Sequence, residues 1–296
     1  MKKLLIAAFV AGLVTVSGCT KESPEKEKDI NNGLIIGIDT TAMDTVTINF
    51  SRGFETTEEP MKTRTVTDLA SIVNRLDVWI TDGETTQTIS QVKTDANFGK
   101  ITATLNKTKT YTLYSVAHKC DTPATLADGI ISFPDDKVTH SLYYTTTFSP
   151  ATTSTIDAEM KRIVAMFRIE TTDVVPTAAK KMRISITDVF DRWDVSAGVG
   201  THQLDRTSTI NISSTNNDGT AAFSVYAITS AAETLHTVTI EALDANDAAV
   251  QTPLVINNVK MRNGYKTIYR GAFFTDKTFT MTMTAEDWSE YDVVTF

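Results

Sequence analysis

Apolar and polar residues alternate with a period of two along most of this chain, and this pattern limits its possible folds more than any other feature. Val46–Phe50 shows the alternation in the first half and Ile163–Ile169 shows it in the second. Successive side chains of a strand point to opposite faces, so the pattern is typical of half-buried strands. Polar turn clusters separate these stretches at spacings of about 8 to 12 residues. The sequence therefore predicts an all-β protein built from β-sandwiches.

The stretches that predict strands fall into two sets. They cover residues 46–50, 75–81, 86–92, 100–105, 110–117, 142–148, 163–169, 182–189, 208–213, 221–228, 236–243, 253–259, 265–273 and 278–284. A polar segment with one proline, residues 149–155, separates the sets. We therefore expect two β-sandwich domains, over 33–152 and 157–296.

Two local signals refine this expectation. Residues 65–75 place Leu69, Ile72 and Val73 on one helical face, which favours one short helix. The Asn263-Gly264 pair lies between two alternating runs and predicts a β-hairpin there.

The N-terminus has the pattern of an exported protein. Lys2 and Lys3 precede an apolar run of about a dozen residues, which is shorter than the roughly 20 needed to cross a bilayer. The run ends in Val16-Ser17-Gly18-Cys19, which resembles the bacterial lipobox. We expect a lipoprotein signal peptide over 1–18 and a lipidated Cys19, carrying palmitate-type chains, as the first mature residue. An ordinary secretory signal peptide with a chance cysteine is the alternative.

Residues 19–32 are charged and almost without large apolar side chains, so they cannot bury enough surface to fold. We expect a flexible tether between the lipid and the first domain. The acidic residues of this tether could instead act as a surface-export signal.

Charge and cysteine content exclude several classes of protein. The net charge of −8 argues against nucleic acid as a partner. If Cys19 carries lipid, Cys120 is the one remaining cysteine, so no internal disulfide can form. We expect Cys120 to be a buried, unreactive thiol.

Catalytic motifs are missing from the sequence. It contains no Gly-x-Ser-x-Gly, no His-Glu-x-x-His, no P-loop and no Gly-x-Gly-x-x-Gly. The four histidines have no metal-ligand spacing, and turn geometry explains the glycines at 198 and 200. We therefore predict a protein that is not an enzyme and that needs no cofactor and no metal.

One acidic stretch, ITDVFDRWDV, keeps two interpretations open. Asp188, Asp191 and Asp194 flank Trp193, and carboxylates beside an aromatic ring can bind sugar or calcium. The simpler interpretation is a charged loop with Trp193 packed against the protein.

The order of several segments resembles a known family. These segments are VTINFSRGF, KTRTVTDLASIVNRLDVWITDG, FGKITATL, YTLYSVAH, KRIVAMFRIETTDVVP and NVKMRNGYKTIYRGAFF. Together they are similar to the FimB-type subunits of the Bacteroidales fimbrillin superfamily, which are lipid-anchored components of type V pili. The resemblance implies two tandem transthyretin-like β-sandwiches, a lipid anchor in the outer membrane and a place in a surface fimbrium.

The resemblance also implies how such a protein meets its partners. Pili of this superfamily assemble by strand exchange between subunits, after a protease cuts some subunits behind an arginine and removes their first strand. Arg52 and Arg64 are the candidate processing residues here. Anchor members keep their first strand and their lipid, and we expect this chain to be an anchor rather than a stalk or tip subunit. Its partners are then other fimbrial subunits and the outer membrane, with an unidentified host or bacterial surface ligand as a further possibility.

The C-terminal region, strand 278–284 and the β-rich stretch 291–296, is expected to dock either on its own sandwich or in a neighbour's groove. A different function class also stays open, namely a surface glycan-binding lipoprotein of a nutrient-uptake system. Such proteins display exposed aromatic platforms, and the tryptophans here are Trp79, Trp193 and Trp288. Trp79 lies in an alternating strand and is expected in the core.

Overall fold

The structure is a computed structural model that describes residues 42–52, 68–230, 233–275 and 277–284. All of them belong to one compact unit, Asp39–Phe296. The described residues form seventeen strands and two short 3₁₀ turns, Leu69–Ser71 and Pro134–Asp136, so the all-β prediction is confirmed. Within these residues no helix has the length and apolar character required to cross a membrane.

The strands of the first half are β1 (Met43–Arg52), β2 (Arg75–Thr81), β3 (Thr86–Val92), β4 (Lys100–Asn106), β5 (Tyr111–His118), β6 (Thr125–Ala127), β7 (Ile130–Ser132), β8 (Leu142–Phe148) and β9 (Thr155–Arg162). Those of the second half are β10 (Ala165–Thr171), β11 (Lys181–Asp194), β12 (Val199–Asn211), β13 (Ala222–Ala227), β14 (Thr234–Leu243), β15 (Leu254–Met261), β16 (Lys266–Ala272) and β17 (Thr278–Thr284).

The first sandwich packs the strands β3-β2-β5-β8 against β9-β1-β4. β8 pairs with β9 at one corner, through Leu142↔Arg162 and Tyr143↔Lys161. This pairing makes one continuous sheet of the seven strands. The alternating residues Val46, Ile48 and Leu113 meet between the layers and are fully buried. This packing follows from the period-two pattern, because one face of each strand is apolar.

The second sandwich packs the sheet containing β15-β14-β11 against β13-β10-β16-β17, and β12 pairs with the other side of β11. The hairpin β6–β7 departs from the first half and adds to this sheet, with Ile130–Ser132 paired to Arg192–Asp194 of β11.

Both sandwiches repeat one strand order when the β6–β7 hairpin is set aside. Counting strands from one to seven, each has a layer in the order 3-2-5-6 and a layer in which strand 1 lies between strands 7 and 4. Strand 1 runs parallel to strand 7 in both, as β1 with β9 and as β10 with β16. The predicted tandem of similar sandwiches is therefore confirmed, and β17 is one strand more than the first sandwich holds in the described residues.

Besides the cores of the two sandwiches, a third apolar cluster contains residues from both halves of the chain. Tyr143 of the first half lies 5.7 Å from the Trp193 ring of the second, and its hydroxyl donates to the carbonyl of Val195 at 3.3 Å. Burial raises the pKa of Tyr143 to about 12. Trp79 and Val116 also belong to this cluster, which explains why the described residues form one compact unit.

The predicted helix over 65–75 is wrong for the residues that the structure describes. From Asp68 onwards only Leu69–Ser71 are helical, as a 3₁₀ turn, although Leu69, Ile72 and Val73 are buried as expected. Asp68 caps the turn by accepting the N–H of Ala70 at 3.1 Å. Three apolar residues suffice to hold one turn against β1, but the segment is too short for a longer helix to form.

The predicted hairpin at Asn263-Gly264 is also wrong. β15 pairs with β14 and β16 pairs with β10, so the two strands beside this turn lie in different layers. Asn263 instead binds Thr229, accepting its N–H at 2.8 Å and donating to its carbonyl at 3.0 Å. The Asn-Gly pair marks a tight turn correctly, but burial of the strands rather than the turn decides which strands pair.

Candidate strand-exchange site

β1 fills the strand position between β4 and β9, which we call the β1 slot. It pairs antiparallel with β4 from Met43↔Asn106 to Asn49↔Lys100, and parallel with β9 from Thr47↔Thr155 to Arg52↔Met160. Its inward residues are buried: Val46 and Ile48 completely, and Phe50 to 7% exposure. Removing β1 would expose two strand edges and an apolar groove, which is the template that an incoming strand requires.

The two ends of β1 are fixed by backbone contacts. Lys107 N–H donates to the carbonyl of Ala42 at 2.8 Å, and Phe50 N–H donates to the carbonyl of Gly99 at 2.7 Å. Gly99 has φ +82°, and a Cβ there would lie 3.4 Å from the Phe50 carbonyl oxygen. A glycine is therefore suited to this turn because it permits the left-handed conformation without strain, whereas the Cβ contact itself would be an ordinary one.

Two of the predicted site residues, Cys19 and Arg64, lie outside the described residues, so lipidation and processing there stay predictions. Arg52 is the last residue of β1 and is only 5% exposed. A protease would have to open the end of β1 before it could reach the bond that follows Arg52. Processing at Arg52 also stays a prediction.

The turn that leads into β17 is held by one carboxylate. Asp173 accepts the N–H groups of Phe273, Phe274 and Thr275 at 3.0, 2.6 and 2.8 Å. Partial burial raises the pKa of Asp173, but the three backbone N–H groups outweigh it and hold the pKa below its usual value. Sequence reasoning missed this residue, because its partners lie about a hundred positions further along the chain.

β17 pairs antiparallel with β16, from Lys266↔Thr284 to Ala272↔Thr278. Phe279 lies 6.5 Å from the buried ring of Phe273. Residues 278–284 therefore pair within the second sandwich, whereas 291–296 lies outside the described residues, so docking of the terminus stays a prediction.

A buried polar group lies where β5 ends. The carboxylate of Asp77 lies 2.8 Å from His118 Nε2. It also accepts the N–H of Ala124 at 2.8 Å and the hydroxyl of Ser90. Asp77 and His118 are 1% and 0% exposed. Sequence reasoning missed this group, although Asp77 stands out as an acidic residue inside the apolar run RLDVWIT. Cys120, two residues beyond His118, is buried as expected.

The acidic stretch around Trp193 is strand, not the expected loop, because β11 continues to Asp194. Trp193 is packed down as the simpler interpretation held, at 6% exposure. Each carboxylate has its own partner: Asp188 accepts from Gln203 at 2.8 Å, and Asp191 lies 2.7 Å from His202 Nδ1. Hydrogen bonds from Ala197 and Ser196 hold the pKa of Asp194 below its usual value.

The described residues contain no group of three or more His, Cys, Asp or Glu side chains placed to hold a metal. Trp79 is buried like Trp193, at 5% exposure, so neither offers a platform for a sugar ring. Trp288 lies outside the described residues.

Glycine is present at 198 and at 200 for different structural reasons. The turn explanation is correct for Gly198 alone, which has φ +65°. Gly200 lies inside β12, where a Cβ would meet Ile228 Cγ2 at 2.6 Å and Phe190 Cβ at 2.9 Å. Close packing of β12 against these two side chains therefore requires glycine.

Comparison with solved structures finds similar arrangements at low sequence identity. A candidate adhesin from Bacteroides thetaiotaomicron has a TM-score of 0.48 and 10% identity, over 82% of this chain and 96% of that one. The fimbrial anchor protein Mfa2 from Porphyromonas gingivalis has 0.42 and 13%, over 82% and 97%. The tip fimbrial protein Mfa3 from the same organism has 0.38 and 8%, over 81% and 99%.

No curated protein sequence matches the chain. A family model does match it, over residues 134–292. This match covers more than half of the chain, which therefore belongs to the family of unknown function DUF6562.

Proposed function

We propose that the protein is a non-catalytic subunit of a surface fimbrium and that it anchors the fibre to the outer membrane through a lipid on Cys19. The observation that carries the proposal is the occupied β1 slot, in which both edges of β1 are paired and its apolar face is buried. A subunit that keeps its own strand in the slot within the assembled fibre cannot take a neighbour's strand there. A subunit of that kind belongs at one end of the fibre.

The sequence supports the same role. The order of core segments resembles FimB-type fimbrial subunits, and the lipobox-like Val16–Cys19 supplies the attachment. Each buried methylene of an acyl chain contributes about 0.8 kcal/mol, so two or more chains on Cys19 would hold the base of the fibre firmly.

A deletion strain tests the proposal. Cells that lack the protein should still make fimbrial subunits but should shed fibres into the medium, and the wild-type chain should restore attachment. Electron microscopy and immunoblots of the medium measure the two states. Fibres that stay on the deletion strain would contradict an anchoring role.

A further inference from the structure

Two basic side chains of the second sandwich meet at one buried carboxylate. Oδ1 of Asp191 lies 2.7 Å from Nδ1 of His202 and 3.8 Å from Nε of Arg192. The buried oxygen therefore holds an imidazole from β12 and a guanidinium from β11 side by side. Both side chains also reach solvent, at 53% exposure for His202 and 38% for Arg192.

The guanidinium of Arg192 is placed by charge rather than by hydrogen bonds. Its Nη2 lies 3.9 Å from Oδ1 of Asp136, which belongs to the 3₁₀ turn Pro134–Asp136 of the first half. This distance and the 3.8 Å to Asp191 are both longer than a hydrogen bond. Within the described residues, Arg192 Nε is buried without an acceptor. The planar fork of donors is therefore held in place and remains available to an acceptor from outside.

The turn that carries Asp136 is fixed against β12. Arg206 donates to the carbonyls of Asp136 and Val138 at 3.0 and 3.3 Å, so the Asp136 carboxylate stays beside Arg192. Asp136 and His202 both have a left-handed backbone, with φ +51° and φ +61°. Backbone of this kind persists where the surroundings impose it, and it is frequent at binding sites.

We propose that Arg192, His202 and Asp136 bind a sugar that carries a carboxylate, such as a uronic acid. The sugar carboxylate pairs with the guanidinium of Arg192, whose fork matches a planar anion. One sugar hydroxyl donates to the exposed carboxylate of Asp136. Because Nδ1 of His202 faces Asp191, Nε2 is left to bond a second hydroxyl. This site is separate from the β1 slot, so the proposal goes beyond fibre attachment and does not depend on it.

The charges around Arg192 favour an acidic sugar over other anions. Asp136 and Asp191 place two carboxylates within 4 Å of the guanidinium, and both would repel a phosphate that carries nearly two negative charges. An aspartate or glutamate side chain of a peptide could pair with Arg192, but it has no hydroxyl for Asp136. A uronic acid supplies a single negative charge together with several hydroxyl donors, which matches the groups present.

The probes are the methyl glycosides of glucuronic and galacturonic acid, titrated into the chain from Cys19 to Phe296. The neutral methyl glucoside and galactoside, sodium acetate and inorganic phosphate are the comparison ligands. NMR of the histidine side chains reports on the site, because His202 is exposed whereas the other three histidines, His118, His140 and His236, are buried.

Arg192→Gln removes the charge and the fork of donors. Arg270→Gln is the matched control, because Arg270 is a strongly exposed arginine of β16 whose ion pair with Glu170 is equally long, at 4.0 Å. Arg192→Lys keeps the charge but loses the fork, and it serves as the second variant if Arg192→Gln lowers the melting temperature.

We expect at least one of the two acidic glycosides to shift the His202 signal until it saturates. Arg192→Gln should bind that glycoside at least tenfold more weakly, Arg192→Lys at least threefold more weakly, and Arg270→Gln as tightly as the wild type. The absence of a response to both acidic glycosides would overturn the proposal. An equal affinity for a neutral glycoside, acetate or phosphate would also overturn it, as would unchanged affinity in both Arg192 variants.

Discussion

The carboxylate of Asp173 accepts the backbone N–H of Phe274 at 2.6 Å, across about a hundred residues of sequence. The N–H groups of Phe273 and Thr275 bind the same carboxylate. These bonds fix the turn from which β17 begins, although Asp173 belongs to neither β16 nor β17. The last described strand is therefore held from outside its own hairpin.

Replacing Asp173 with Asn should loosen β17. Hydrogen bonds to a charged group contribute about 1.5–3 kcal/mol when they are protected from water, and Asp173 is only partly buried, so we expect a loss of about 1–2 kcal/mol. Denaturant unfolding measures this loss, and hydrogen exchange should show faster exchange over 277–284. The exposed pair Asp247–Lys181 provides the control, because solvent screens it and Asp247→Asn should change stability much less than Asp173→Asn.

The same bonds make stability depend on pH. The folded-state pKa of Asp173 lies below its unfolded value, so its contribution is fully present above the ordinary aspartate range of about 4 and is lost as pH falls through the folded pKa. The wild type should therefore lose more stability than Asp173→Asn between pH 5 and the acid limit. Identical acid profiles of the two proteins would show that this carboxylate does not contribute.

Gly200→Ala should destabilise the packing of β12 against the second sandwich. The new methyl group would overlap Ile228 and Phe190, and overpacking of this kind costs about 1–3 kcal/mol. Thermal unfolding measures the loss. Combining Gly200→Ala with Ile228→Ala should cost less than the sum of the two single changes, because the second change makes room for the first. Strict additivity would contradict the steric explanation.

Trp193→Ala should destabilise the whole compact unit, because the indole is buried between residues of both halves. A loss of about 3–5 kcal/mol is expected for a buried tryptophan. Leu235→Ala is the control, since Leu235 is 57% exposed and should lose little. If Trp193→Ala left stability unchanged but abolished binding to a glycan, the glycan-uptake alternative would be favoured.

Cys19→Ala should release the protein from the membrane fraction or block its maturation, because the proposed lipid would have no attachment point. Fractionation of cells followed by immunoblotting measures the distribution. Cys120→Ser is the matched control: Cys120 is buried inside the folded unit, so this change should leave membrane retention intact. Retention of Cys19→Ala in the membrane pellet would reject the lipid anchor.

Much of the fold could be predicted because buried strands carry a regular signal. Val46, Ile48 and Phe50 of β1 all point into one core, as their alternation indicates. Edge strands carry a weaker signal, and the first part of β12, from Val199 to Asp205, was missed because most of its side chains are polar and partly exposed. The hairpin β6–β7 was missed because three-residue strands are too short to show a period.

The candidate site was predictable only in part. The sequence pointed to the first strand and to Arg52, but not to the burial of Arg52, which depends on pairing with Met160 more than a hundred residues away. The role of Asp173 depends in the same way on contacts between distant segments. Sequence periodicity reports which face of a strand is buried, but it does not report which strands become neighbours.

An anchor subunit should keep β1 in its own slot when it is part of a fibre. Mass spectrometry of the protein from intact, fimbriated cells tests it most directly, through the first residue of the mature chain. We predict a chain that begins at an acylated Cys19 and still contains Met43–Arg52. A chain that begins at Gly53 or Thr65 would contradict the account, because β1 would then have been removed and the slot opened to a neighbour's strand.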